Sequence, residues 1–174
     1  MKIVAFGAST SRQSINKQLA SYAASLVPSA EVEVLDLNDF DVPLFSQDKE
    51  AEIGQPDAAK AFLAKLDEAD ALVISFAEHN GSYSAAYKNL FDWASRIRQK
   101  VYQDKSVVLL STSPGPGGAK TVLAAAAGSA PYFGADVKST LSIPSFYDNF
   151  NVEQGKLSDP ELEQALLTAV AALV

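Results

Sequence analysis

The sequence predicts an α/β chain: a doubly wound parallel sheet of five strands in the order 2-1-3-4-5, with helices on both faces. Short apolar runs alternate with helix-periodic segments five times along the 174 residues, and strands separated by helices build parallel sheets through right-handed crossovers. The third run, Asp70–Phe76, is apolar almost throughout, as befits a central strand covered on both faces. Three polar loops rich in Ser and Gly follow the first, third and fourth runs. Open parallel sheets bind ligands beyond the carboxyl ends of their strands, where the strand order reverses.

Taken in order, Lys2–Phe6 is a short apolar strand that ends at Gly7. A helix follows with Ile15, Leu19, Tyr22 or Ala23, and Leu26 on one face, stopped by Pro28. Val32–Leu37 alternates as a second strand, and Pro56 opens a helix that buries Phe62, Leu63 and Leu66. After the Asp70–Phe76 strand, Tyr83, Tyr87, Leu90 or Phe91, Ala94 and Ile97 recur at helical spacing, with Arg96, Arg98 and Lys100 near the negative end of the helix dipole. Ser106–Leu110 is a fourth strand, Thr121–Ser129 an Ala-rich helix and Val137–Ile143 a fifth strand. Ser158 and Glu161 read as a capping box for a last helix burying Leu162, Leu166, Val170 and Leu173. Segments 38–55 and 143–157 read as loops within one domain spanning 1–174. Five strands favour the flavodoxin-like order over a six-stranded dinucleotide fold.

Composition narrows the partners. A net charge of −7 argues against nucleic acid, whose phosphates attract basic patches. The apolar runs fall far short of the roughly 20 residues that span a bilayer, so no membrane partner is expected. Only a four-residue strand-like run follows Lys2, unlike the longer apolar segment of a signal peptide. The chain has no cysteine, which excludes disulfides, thiolate metal sites and cysteine nucleophiles. A cytoplasmic location and the absence of a metal fit this composition.

The first loop, Gly7–Asn16, offers hydroxyls from Ser9, Thr10, Ser11 and Ser14, the Asn16 amide and the Arg12 guanidinium at a helix N-terminus. Free N–H groups and the positive dipole end suit a phosphate there. Plain capping by one Ser is the alternative. The loop has neither a Walker Gly-Lys pair nor the spaced glycines of a dinucleotide loop, so a phosphomonoester suits it best. The second loop, Ala77–Tyr83, holds the only histidine. His79 can act as a proton donor, or serve as a ring edge and hydrogen-bonding spacer. Asn80–Gly81 permits a tight turn with positive φ, which presents backbone groups to a flat heterocycle or simply closes a turn. The third loop, Ser111–Gly118, sets three glycines among two prolines, so that a planar ligand can lie against a restricted backbone. Trp93 reads as core. The Phe146, Tyr147 and Phe150 cluster reads equally as a pocket wall or a subunit contact.

With these loops the chain resembles the NAD(P)H-dependent FMN reductase family, which includes related quinone and azo-dye reductases. The likeness rests on Ser14-Ile15-Asn16 in a Gly- and Ser-rich first loop, on Glu78–Tyr83 running into Lys88-Asn89 and Asp92–Arg96, and on Ser111-Thr112-Ser113-Pro114-Gly115. It spans about residues 2 to 140. The resemblance implies non-covalent FMN, with Ser9, Ser11, Arg12, Ser14, Ile15 and Asn16 around its phosphate. It places Glu78, His79, Asn80 and Gly81 along one flank of the ring, and Ser113, Pro114, Gly115, Gly117 and Gly118 along the other. Ala77 stands where the family commonly has Pro, and His79 where it has Tyr or Phe, so no aromatic hydroxyl is offered beside the ring.

The function implied is two-electron transfer of a hydride from NAD(P)H to bound FMN and on to a small-molecule acceptor: a quinone, azo compound, metal oxyanion or free flavin. The cofactor carries that chemistry, and no catalytic side chain is required. The resemblance also implies a homodimer or homotetramer, with Phe40, Leu44, Phe45 and the Phe146–Phe150 cluster facing a partner. The rival reading is a flavodoxin-like carrier that holds FMN, exchanges single electrons with protein partners and does not oxidise NAD(P)H. A flavin-free phosphate-binding regulator of the same fold is the third.

Overall fold

The structure, a computed structural model, describes residues 1–174. In chain order its elements are β1 (Lys2–Ala8), α1 (Ile15–Ser25), β2 (Glu31–Leu35), α2 (Gln47–Ile53), α3 (Asp57–Glu68), β3 (Ala71–Phe76), β4 (Glu78–His79), β5 (Ser82–Tyr83), α4 (Ala85–Ile97), β6 (Lys105–Thr112), α5 (Lys120–Ser129), β7 (Ala135–Ile143), α6 (Phe146–Asn149), β8 (Phe150–Asn151), β9 (Lys156–Leu157) and α7 (Pro160–Ala171). The main sheet has five strands in the order β2-β1-β3-β6-β7, all parallel. This is the expected order 2-1-3-4-5.

Strand alternation builds two cores. Val4, Phe6, Leu72, Ile74, Val107 and Leu109 share one apolar cluster with residues of α3, α4 and α5. Ile3, Ala5, Val73, Val108 and Leu110 share the other with residues of α1 and α7. Successive side chains point to opposite faces, so a strand covered on both sides must be apolar at every position, which is why β3 reads as a continuous run. Trp93 is fully buried, as expected of a core residue, and its Nε1–H donates to the Pro43 carbonyl at 2.7 Å.

The sequence misplaces several details. β1 runs on to Ala8 and β6 to Thr112, so Ser111 and Thr112 are strand rather than loop. Segment 38–55 contains α2, which Ser46 caps by accepting from Lys49 N. Segment 143–157 contains α6 and the β8–β9 hairpin. The last helix is capped by Asp159, not Ser158: its Oδ1 accepts from Glu161 N and Leu162 N, because Pro160 occupies the first helical position and makes the preceding residue the cap. At the end of α4 the cations do lie as expected, Arg96 in the last turn and Arg98 and Lys100 just past it; Arg98 also grips Asp67 with two guanidinium nitrogens, at 3.0 and 2.6 Å.

Candidate functional site

The three loops meet at the carboxyl ends of β1, β3 and β6. A Cβ on Gly7 would lie 2.8 Å from Lys17 Cα and 2.9 Å from the Asn16 carbonyl carbon, so α1 lies directly against the end of β1 and starts at the cleft. Ser14 caps α1, its Oγ accepting from Lys17 N at 3.1 Å, and Ser9 Oγ closes the preceding turn by accepting from Ser11 N at 3.1 Å. Capping is therefore one of the roles of this loop. The N–H groups of Ile15 and Asn16 have no acceptor within the chain.

Asn16 is committed to the fold. Its side-chain nitrogen donates to the Thr112 carbonyl at 3.2 Å. Its oxygen accepts from Thr112 N at 3.1 Å and from Ser75 Oγ at 2.7 Å. The side chain, 3 % exposed, thus ties the start of α1 to the ends of β3 and β6. What Asn16 can offer a ligand is its backbone N–H.

The second loop is a hairpin, β4–β5, turning at Asn80 (φ 53°) and Gly81 (φ 77°); two consecutive positive φ values mark the turn type that suits two-residue hairpins. Glu78 Oε2 accepts from Val122 N at 2.8 Å, which satisfies a free N–H in the first turn of α5. Ser84 caps α4 by accepting from Tyr87 N and donates to the Ala8 carbonyl at 2.8 Å. The hairpin is thereby tethered both to α5 and to the end of β1.

The third loop is anchored through Gly118. Its carbonyl accepts from Ser111 Oγ at 2.6 Å and from Ser142 Oγ at 2.8 Å. Its φ is +60°, and a Cβ there would collide with Ser142 Oγ, so only glycine fits without strain. Gly115 accepts from Ser145 N at 2.9 Å and Ser113 from Phe146 N at 3.0 Å. A Cβ at Gly115 or Gly117 would meet open space; these two leave the rim bare.

Between the loops lies a cleft of about 320 Å³. Of the residues read from the sequence, Ser9, Ser11, Ser14, Ile15 and Asn16 line it from the first loop, Glu78 and His79 from the second, and Ser113 and Pro114 from the third. Arg12, Asn80, Gly81, Gly115, Gly117 and Gly118 do not line it. Arg12 is exposed and walls two neighbouring grooves instead. Gln13, Thr112, Ala77 and Tyr147 complete the lining. Thr112 was passed over because nothing in the sequence shows that β6 ends at it and brings it to the cleft, and Gln13 because it lies among better-known anion donors. No three His, Asp or Glu side chains are grouped so as to hold a metal.

The aromatic cluster divides. Phe146 and Phe150 are buried and stacked, with ring centres 4.6 Å apart, whereas Tyr147 is 65 % exposed at the cleft. Phe40 is also buried, edge-on to Phe62, and Phe45 packs edge-on to Trp93. Phe40, Phe146 and Phe150 therefore fill this chain's own core rather than face a partner; Leu44 and Tyr147 are the exposed members. No helix is long and apolar enough to cross a membrane.

Residues 1–147 match the family model described as NADPH-dependent FMN reductase. Among curated proteins, the chain is 38 % identical over 117 residues to a 2-hydroxy-1,4-benzoquinone reductase of Burkholderia sp., covering 66 % of this chain and 62 % of that one. It is 33 % identical over 125 residues to an NADPH:quinone oxidoreductase of Arabidopsis thaliana, covering 70 % and 62 %. The chain thus spans just under two thirds of the length of these relatives. Its fold is similar to that of FerB, a flavoenzyme NAD(P)H:(acceptor) oxidoreductase from Paracoccus denitrificans, with a TM-score of 0.77 at 23 % identity over 99 % of this chain and 94 % of that one. The loop resemblance, the strand order and the family model agree: the chain belongs to the NADPH-dependent FMN reductase family.

Proposed function

We propose that the chain binds FMN non-covalently in the three-loop cleft and reduces a quinone with two electrons from NAD(P)H. The convergence of three chemically different loops on one cleft carries this reading. The N–H groups of Ile15 and Asn16 and the hydroxyls of Ser9, Ser11 and Ser14 form a donor set for a phosphate at the positive end of α1. Arg12, on the outer side of the same loop, adds the charge. Glu78 and His79 of the hairpin and Ser113 and Pro114 of the third loop supply the two flanks for a flat ring.

Bound FMN supplies the hydride acceptance and donation; the chain holds and orients it. Glu78 fixes the hairpin against α5, and Asn16 keeps the first and third loops in register. His79, which lines the cleft, serves as a hydrogen-bonding edge beside the ring, since the chemistry resides on the cofactor. A quinone acceptor is favoured by the names of the two curated relatives above; azo compounds, metal oxyanions and free flavin are the other acceptors such chemistry serves. A homodimer in the cytoplasm completes the reading, with Tyr147 on the partner-facing side of the cleft. The test is direct. Protein incubated with FMN and desalted should retain about one FMN per chain and oxidise NADPH when 1,4-benzoquinone is added. Retained FMN without NADPH oxidation would favour the electron-carrier reading.

A further inference from the structure

A second cavity, of about 330 Å³, opens between α4 and α5 on the far side of the β4–β5 hairpin from the cleft. Six aromatic residues wall it: Phe76, Tyr83, Tyr87, Phe91, Tyr102 and Phe133. These rings hold one another, Phe91 edge-on to Phe133 with centres 4.7 Å apart and Phe76 edge-on to Tyr87 at 5.4 Å. The charges at its rim cancel, since Lys88 Nζ lies 2.7 Å from Asp92 Oδ1.

Two hydroxyl pairs interrupt this wall: Tyr83 with Ser129, whose Oγ also donates to the Ala125 carbonyl, and Tyr87 with Tyr102. Tyr87 and Tyr102 are each 4 % exposed, and their hydroxyls are 2.8 Å apart. Two hydroxyls carry two hydrogens, and a bond between them uses one. Neither oxygen has another partner in the chain, so one buried O–H is left to donate. Burial raises the ionisation of both groups above that of a free tyrosine, which keeps them protonated and able to donate. A buried donor without an acceptor is unfavourable, so an acceptor on a ligand is drawn to it.

The geometry points to a binding site for a small, uncharged aromatic carbonyl compound in this cavity, its ring among the aromatic walls and its carbonyl oxygen accepting the spare hydrogen of the Tyr87–Tyr102 pair. Volume limits the ligand to one or two rings, near the lower end of small-molecule pockets. The absence of an unpaired charge selects a neutral ligand, and the uncommitted hydroxyl hydrogen of the Tyr87–Tyr102 pair selects an acceptor group on it. The site shares no lining residue with the three-loop cleft and does not depend on what the cleft holds. Tyr83 walls the cavity and pairs across the hairpin with Glu78, so a ligand here would press on the back of the hairpin.

Two probes differing only in the carbonyl, 4-chromanone and chroman, test this by titration calorimetry on the full chain, with and without added FMN. 4-Chromanone should bind about three- to tenfold more tightly than chroman. Tyr87→Phe and Tyr102→Phe each leave one hydroxyl, and so should each keep that preference. The double variant should bind both probes equally. Ala125→Phe, at an exposed position of α5 that lines the cavity, should abolish binding of both in a folded protein. Equal binding of the probes to the unaltered chain, no saturable binding, or binding unaffected by Ala125→Phe would overturn the proposal. So would a loss of dimer on Ala125→Phe with no probe binding, since a second copy would then cover the groove.

Discussion

Asn16 and Thr112, 96 residues apart in sequence, bind each other as two strands would: the side-chain amide of Asn16 donates to the Thr112 carbonyl at 3.2 Å and accepts from its N–H at 3.1 Å. The side chain takes the place of a backbone partner beyond the end of the sheet. The amide thus sets the distance between the first and third loops. Ser75, at the end of the intervening strand, donates to the same oxygen.

Asn16→Ala should therefore destabilise the chain by about 2–3 kcal/mol, since it leaves three buried polar groups without partners. Urea unfolding measures this. FMN retention should fall in the same variant, because the two loops lose their fixed spacing. Asn16→Asp should be no better than Ala, because the donor to the Thr112 carbonyl is lost and a charge is buried beside it.

Much of the fold was legible because burial on both faces dictates composition. Val4 and Phe6 had to be apolar for one core, and Ile3 and Ala5 for the other, so β1 and β3 announce themselves. The turn at Asn80–Gly81 was legible for a local reason, the cost of positive φ. Asn16 was not. A polar residue at a helix start reads equally as a ligand group or a stitch, and its partners lie on strands that the sequence does not place beside it. The cap at Asp159 was available, because Pro160 marks the first helical position. Phe40, Phe146 and Phe150 misled because an apolar side chain in an irregular segment looks unpartnered until the chain folds over it.

Gly118→Ala should cost about 1–3 kcal/mol, from the left-handed backbone and the collision with Ser142 Oγ. Adding Ser142→Ala should recover the part owed to collision, less the hydrogen bond that Ser142 gives the Gly118 carbonyl, which the Ser142→Ala single variant measures, and leave the backbone part. Thermal unfolding of the single and double variants separates the two.

Asp36 links acid stability to the first loop. The Lys17 ammonium, 2.7 Å away, and the N–H groups of Asn38 lower its carboxyl from the ordinary 3.8 to about 2. A lowered native value means that the unfolded chain takes up the proton first. The contribution is complete above 3.8 and is lost as pH falls toward 2. The pair is a third exposed, so it is worth less than about 1 kcal/mol. Asn38 also donates to the Thr10 carbonyl at 3.0 Å. FMN retention measured against pH should therefore weaken over this window, and Asp36→Asn should remove that part of the pH dependence.

Arg12 takes part in no ion pair within the chain. Arg12→Ala should weaken FMN binding by less than about 1 kcal/mol, since its exposed guanidinium lies outside the cleft, and leave the unfolding midpoint unchanged. Ser14→Ala should lower both, because Ser14 also caps α1 at a value of about 1 kcal/mol.

His79→Phe should retain FMN and lower turnover by less than about tenfold, since the chemistry resides on the cofactor. A loss of about 10²–10⁴-fold with FMN still bound would make His79 a general acid. Steady-state rates with 1,4-benzoquinone decide between them.

If the three loops hold FMN that NAD(P)H reduces, the bound flavin reports it by its colour. The most direct measurement is the visible absorption spectrum of the FMN-loaded, desalted protein under anaerobic conditions, before and after one equivalent of NADPH. Flavin bands should persist through desalting, bleach with NADPH and return when a quinone is added. A colourless protein after desalting, or bands that NADPH leaves untouched, would contradict this reading.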